Sequence, residues 1–411
     1  MPPHATAPLP SAAPLGGPSP RRAGVRGVLP ALVVLATAAA CGDAAPRALR
    51  AASPRGDTVA IGIALNPQRP GMQSIYNGAD LAVEVLNAEG AARGARPFTA
   101  RRTPDDLASA VEIATLLRDD PTVLGVVGHP ESGSTLDALP IYSDAEHGGL
   151  DAVVAVSPTA TSPALSGKSR WLFRVTPSDV AISRAVALYV ADTLKALRAA
   201  VIYRNDAYGR DWTAAFTTAY RERGGTVVQR DPYVAGVTEW AAYAEYLKQT
   251  RPDVLLFPGS AEDAELALRA MRAAGTSVPF VGGDATAALA LKPEFAGARF
   301  VSMFVPERAS TEEARAFVDA YERRFAQAPD PRAAMAYDAT LLIGRAVLAL
   351  GRDATRAAVR DYIEGVGTRS DSVRGVAGAI AFDARHDVVG RQVVIAEVPA
   401  ARAAVAVGAR P

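Results

Sequence analysis

The chain has 411 residues, with 44 Lys and Arg against 43 Asp and Glu and 49% hydrophobic residues. That length suits two or three folded units at about 100–200 residues each, and the balanced charge excludes a protein that works mainly by neutralising nucleic-acid phosphates. A single cysteine rules out an intramolecular disulfide or a Cys-based zinc cluster, and the four histidines, at positions 4, 129, 147 and 386, are not at metal-ligand spacing, so no metal and no cofactor is expected.

The first residues read as an address. Residues 2–20 are rich in Pro, Ala, Gly and Ser, a composition that buries too little apolar surface to fold. Arg21, Arg22 and Arg26 follow, then an apolar run from Val28 to Ala40. A basic stretch, a short apolar stretch and a small-residue exit make a secretory signal over residues 1–41, too short for the ~20 residues of a comfortable membrane span. Cys41, in Ala38-Ala39-Ala40-Cys41-Gly42, ends that run as the lipidated cysteine of a bacterial lipobox does, although a lipobox prefers Leu where Ala38 stands. Two outcomes follow from this pattern: export with a lipid anchor on Cys41, in the periplasm or at the cell surface, or simple cleavage. Residues 42–56 read as a flexible tether.

From Asp57 onward, short β-rich runs alternate with Ala-rich segments of helical period. Strands are expected at Val59–Leu65, Phe98–Arg102, Val123–Gly128, Ala152–Ser157, Ala200–Tyr203, Val227–Asp231, Val254–Pro258, Phe280–Gly283 and Phe300–Val305. Helices are expected at Met72–Ala88, Asp105–Arg118, Ile182–Leu197, Trp212–Arg223, Thr238–Gln249, Ala261–Ala274 and Thr311–Arg324. Gly90, Gly224-Gly225 and Gly275 stand where helices stop. Apolar strands alternating with amphipathic helices predict an α/β protein with parallel sheets covered on both faces. About ten alternations are too many for one compact sheet, so two doubly wound domains are predicted, with a first boundary at the turn Arg174–Asp179. Gly378–Asp383 and Val393–Val398 read as a hairpin-like return, and residues 401–411 as a frayed tail.

In open parallel sheets the ligand crevice lies beyond the carboxyl ends of the strands. The polar residues directly after each strand are therefore the candidates. Ser132 and Ser134 follow Val123–Gly128, and Thr159 and Thr161 follow Ala152–Ser157. These hydroxyls, with helix-start N–H groups, suit an anion such as a carboxylate. Tyr208 follows Ala200–Tyr203, Ser260 follows Val254–Pro258, and Asp284 follows Phe280–Gly283. An acid and a tyrosine suit an ammonium. An anion site facing a cation site fits an α-amino acid, though any zwitterion or polar ligand meets the same description. Each residue also has a structural reading: Ser132, Ser134, Thr161 and Asp284 suit helix caps, and Tyr208 can pack a turn. Enzyme motifs are missing: there is no Gly-x-Ser-x-Gly elbow, no Gly-x-Gly-x-x-Gly after the first strand and no Walker lysine. In His129-Pro130-Glu131-Ser132 a histidine, an acid and a hydroxyl coexist, but neighbours along one loop seldom reach triad geometry. His129 is expected to pack or hydrogen-bond at the loop base, and His147 and His386 to be ordinary surface or loop residues.

A series of stretches resembles the branched-chain amino acid (Leu/Ile/Val-binding) type of ABC-transporter substrate-binding proteins, the type I periplasmic binding proteins. These are Tyr76-Asn77-Gly78-Ala79, Asn87-Ala88-Glu89-Gly90, Val127-Gly128-His129 with Ser132 and Ser134-Thr135, Val156–Pro163, Phe173–Asp179, Tyr208-Gly209 with Phe216, and Val281–Asp284. The resemblance implies two lobes joined by a three-strand hinge that close on a ligand. It places lobe 1 at residues 57–175 with a return segment near 305–368, and lobe 2 at 176–304 with a return near 369–400. It further implies that Ser132, Thr161 and the backbone near Thr159 hold a ligand carboxylate, that Asp284 meets the ammonium where relatives usually have Glu, and that Tyr208 forms an aromatic wall. Two departures, Ser260 where an aromatic often stands and Arg69 in a first loop without its aromatic, imply a larger and more polar side-chain pocket than one for leucine. The implied role is to deliver a small amino-acid-like ligand to an ABC permease as a monomer, without catalysis; the alternatives are a sensing receptor of the same fold without transport, or an exported enzyme on the same scaffold.

Overall fold

The computed structural model describes residues 57–69 and 71–400; Cys41, the leader, the tether and the tail lie outside them. The first half runs β1 (Val59–Ala64), α1 (Gln73–Ala91), β2 (Phe98–Arg102), α2 (Ala110–Asp119), β3 (Val123–Gly128), α3 (Ser132–Tyr142), β4 (Val154–Ser157) and β5 (Leu172–Arg174). These strands form one all-parallel sheet in the order β2-β1-β3-β4-β5. Every residue of β1, β3 and β4 is buried, as expected of parallel strands covered by helices on both faces.

The second half runs α4 (Asp179–Leu188), β6 (Arg198–Arg204), α5 (Ala207–Arg221), β7 (Thr226–Tyr233), α6 (Trp240–Thr250), β8 (Val254–Phe257), α7 (Ala261–Ala273), β9 (Phe280–Gly282) and β10 (Arg299–Ser302). Three more helices follow, α8 (Glu312–Phe325), α9 (Pro331–Leu350) and α10 (Arg356–Gly365), then β11 (Val373–Gly375), β12 (Gly378–Ile380) and β13 (Val394–Glu397). The second sheet has the order β13-β10-β9-β8-β6-β7, parallel except for β13. The result is a two-lobe α/β fold whose chain passes between the lobes three times: after β5, after β10 and before β13.

All nine predicted strands lie in these two sheets, with ends shifted by a few residues. The predicted hairpin does not form. Gly378–Ile380 pairs with Val373–Gly375, whereas Val394–Glu397 adds antiparallel to β10. The loop between them is too long for a tight hairpin, and the free edge of β10 offers β13 a longer ladder. The predicted helix Ile182–Leu197 begins earlier, on the Ser178 cap, and leaves α-helical geometry at Leu188 for a π turn over Tyr189–Thr193.

Helix α9 holds the first lobe together. Every residue from Ala333 to Gly344 is buried. Its length and mean hydropathy of 1.5 are those of a membrane span, but 78% of the window is buried within the protein, so it is a core helix. It lies against α1 at Gly78, where a Cβ would stand 2.1 Å from the Ala333 carbonyl oxygen. Only glycine allows this approach, which fixes the start of α9 relative to the loops around it. The crossings are tied by charge. Arg174, at the end of β5, donates from Nε to Asp387 Oδ1 at 2.8 Å and from Nη1 to the Ser162 carbonyl at 2.7 Å. Asp338 of α9 is fully buried, pairs with Arg391 and accepts from the Val376 N–H at 2.7 Å.

Candidate functional site

The carboxyl ends of β3 and β4 in the first lobe face those of β6, β8 and β9 in the second across a cleft of about 400 Å³. Six of the seven sequence-chosen residues line it: Ser132, Ser134, Thr159, Tyr208, Ser260 and Asp284. Thr161 does not; it is fully buried one layer behind.

On the first-lobe wall, Ser132 opens α3, and its Oγ accepts from the Ser162 N–H at 3.2 Å, which draws the two loops together. The Thr159 hydroxyl donates to the Pro130 carbonyl at 2.7 Å. The hydroxyl of Thr161 is buried behind this wall, close enough to the Asp179 carboxyl to lower its pKa. His129 is buried with Nε2 2.9 Å from the Tyr142 hydroxyl, and burial lowers its pKa to about 3. It therefore sits at the loop base as a neutral ring, and no Ser–His pair forms. His147 bonds to Asp144 near the surface. His386, by contrast, is not a surface residue: its ring stacks on Phe173 with centroids 4.3 Å apart, because the crossing segment folds back on the end of the first sheet.

On the second-lobe wall, the Tyr208 hydroxyl donates to Asp284 Oδ1 at 2.9 Å. Burial pushes the Asp284 carboxyl up to about 6, against the lowering effect of that hydrogen bond and of Arg332. Ser260 caps α7, accepting from the Asp263 N–H at 3.2 Å and donating to Asp263 Oδ2 at 2.9 Å, so its hydroxyl is already committed.

The structure adds a residue that the sequence reading passed over. Asp179, first residue of α4, is fully buried, and neither carboxylate oxygen has a hydrogen-bond partner among the described residues. Burial, then the nearby charge of Asp284, pushes its carboxyl well above the usual range; Thr161 and Arg174 offset this only in part. Its signal was present in Pro177-Ser178-Asp179, read there as a boundary turn and as part of a matching stretch, with no role for the Asp179 side chain. The Asp284 charge that raises the Asp179 carboxyl, together with the Tyr208 hydroxyl bonded to Asp284, marks a place where a cation is stabilised. An unmatched buried carboxylate is unfavourable until something charged or hydrogen-bonding reaches it.

The lobes already touch across the cleft: the Ser162 hydroxyl, from the loop after β4, donates to Asp211 on α5. The remaining lining is mixed. Arg69 pairs with Glu131, Arg204 pairs with Asp206 at 3.1 Å, and Met72, Met303 and Met335 supply flexible apolar surface. No group of three or more His, Cys, Asp or Glu residues able to hold a metal occurs among the described residues.

The chain can now be set beside known proteins. A family described as periplasmic binding protein matches residues 67–403. The chain is 25% identical over 318 residues to a Leu/Ile/Val/Thr-binding protein of Salmonella typhimurium, covering 77% of this chain and 83% of that one. It superposes with a TM-score of 0.73 and 25% identity on the branched-chain amino acid transporter substrate-binding protein of Streptococcus pneumoniae in complex with isoleucine, covering 83% and 96% of the two chains. An ABC transporter substrate-binding protein of Desulfitobacterium hafniense in complex with Leu gives 0.68 and 26%, over 82% and 96%. With its two parallel-sheet lobes and an interlobe cleft lined from the strand ends, the chain belongs to the periplasmic binding protein family.

Proposed function

We propose that this protein captures an α-amino acid in the cleft between its lobes by hinge closure and delivers it to an ABC permease. The observation that carries this reading is the division of the cleft walls. Hydroxyls and helix-start N–H groups at Ser132 and Thr159, with Thr161 buried behind them, offer a seat for a carboxylate, and Asp284 and Tyr208, with Asp179 buried behind them, offer one for an ammonium. In this reading, the ligand carboxylate meets the α3 start, where N–H groups are free to donate. The ammonium satisfies Asp284 and the otherwise unmatched Asp179. Ser260 shapes the wall through its cap without a direct bond. Binding shifts the open–closed equilibrium, and the permease reads the closed form. The relatives named for Leu/Ile/Val binding support the amino-acid class. We further propose that the protein is exported as a monomer and held at the membrane by a lipid on Cys41.

The test is calorimetric titration of the purified protein with amino acids, repeated on the Ser132→Ala/Thr161→Ala double variant. Loss of binding with an unchanged melting temperature supports the carboxylate seat; unaltered affinity removes it.

A further inference from the structure

Resting on that reading, we infer that the ligand's side chain ends in an anionic group received by Arg332, so that the substrate class is the acidic amino acids and not the aliphatic ones. Arg332 lines the cleft and makes no hydrogen bond or ion pair with any described residue. Three of the cleft's carboxylates are engaged elsewhere. Glu131 is paired with Arg69, Asp206 with Arg204, and Asp330 caps α9 by accepting from the Ala333 N–H at 2.8 Å. Asp284 feels the charge of Arg332 but spends its hydrogen bond on Tyr208.

The guanidinium is also held in place. Arg332 stands in the first turn of α9, which the Gly78–Ala333 contact fixes, and its terminal nitrogen lies over Gly71, where a Cβ would come within 2.5 Å. A cation in the first turn opposes the helix dipole, so helix stability does not explain its presence. Closing the lobes on an isobutyl side chain would strip water from this guanidinium and return nothing to it. A distal carboxylate would instead receive two parallel N–H donors. Because Arg332 is close enough to act on Asp284, a short side chain spans from the ammonium seat to it. No aromatic or branched aliphatic side chain other than Tyr208 lines the cleft, where an aliphatic ligand would need such walls.

The experiment is calorimetric titration of the full chain with glutamate, aspartate, glutamine, asparagine, leucine and lysine, repeated on Arg332→Met and Arg332→Lys, with melting temperatures confirming the fold. The expected result is that an acidic amino acid binds wild type at least tenfold more tightly than its amide or leucine. Arg332→Met should then weaken the acidic ligand by tenfold or more and the amide by less than threefold, with Arg332→Lys between them. If leucine or lysine binds best, or Arg332→Met leaves the acidic ligand unaffected, the inference is wrong while the amino-acid reading stands. If none of the six, nor any other amino acid, binds, both fall together.

Discussion

The Tyr208 hydroxyl and the Asp284 carboxylate meet at 2.9 Å at the carboxyl end of the second sheet, and the residue beside them, Gly283, is what makes room. A Cβ on Gly283 would lie 2.2 Å from the Tyr208 oxygen. Gly283→Ala should therefore displace the tyrosine and weaken ligand binding while leaving the melting temperature of the apo protein nearly unchanged. Tyr208→Phe, which removes the same bond without crowding, should weaken binding in the same direction. An alanine variant that binds as wild type would show that the pair does not shape the site.

Asp284→Asn should weaken binding of any ligand bearing an ammonium by about 1.5–3 kcal/mol, the scale of a hydrogen bond to a charged group, or roughly ten- to hundredfold. Calorimetry on the folded variant checks this. Unchanged affinity would reduce Asp284 to a start for the turn that follows it.

The same carboxyl predicts two opposite responses to pH. Its folded pKa of about 6 lies above the ordinary 3.8. The folded state thus holds its proton more tightly than the unfolded state, and this group's contribution to stability falls as pH rises from about 4 to 6. The ligand, however, needs the ionised form. Acidifying from pH 7 to 5 should therefore weaken ligand binding while the apo protein gains stability from this group, and Asp284→Asn should lack that gain. Melting curves and titrations at both values separate the two effects; affinity that rises on acidification would contradict the assignment.

The Ser162–Asp211 bond joins a first-lobe loop to helix α5 of the second lobe and is available only when the lobes are close. Asp211→Ala should bias the protein toward the open form, and about 1 kcal/mol lost from the closed state corresponds to a roughly fivefold loss of affinity. Distances between spin labels on the two lobes should lengthen in the apo variant. An unchanged distance distribution would show that the bond does not favour closure.

Arg174 is 2% exposed and joins β5 to the third crossing through Asp387. Removing one member of a buried pair leaves the other uncompensated, so Arg174→Ala should destabilise the protein by about 3–5 kcal/mol in denaturant unfolding. A loss below 1 kcal/mol would mean that water reaches Asp387 freely.

The central strands were legible because parallel strands buried on both faces must be runs of Val, Ile, Leu and Ala. Helix α9 was not read, because a helix buried all round lacks the polar face on which periodicity depends; only Asp330-Pro331, a cap followed by Pro at the first helical position, marks its start. Helix α3 was masked by Gly133 and Pro140. The cleft residues followed from one rule, polar side chains after strand ends, and six of the seven chosen line it. That rule has no place for Asp179 or Arg332, which open helices α4 and α9 and reach the site only because the lobes fold together.

The most direct test of the central claim is a thermal-shift comparison of matched ligands: an amino acid that binds, its decarboxylated amine and its deaminated acid. At 100 times its dissociation constant a ligand adds about 2.7 kcal/mol of stability. Divided walls predict that only the compound carrying both groups raises the melting temperature. Equal stabilisation by the acid or the amine alone would contradict the two-seat cleft.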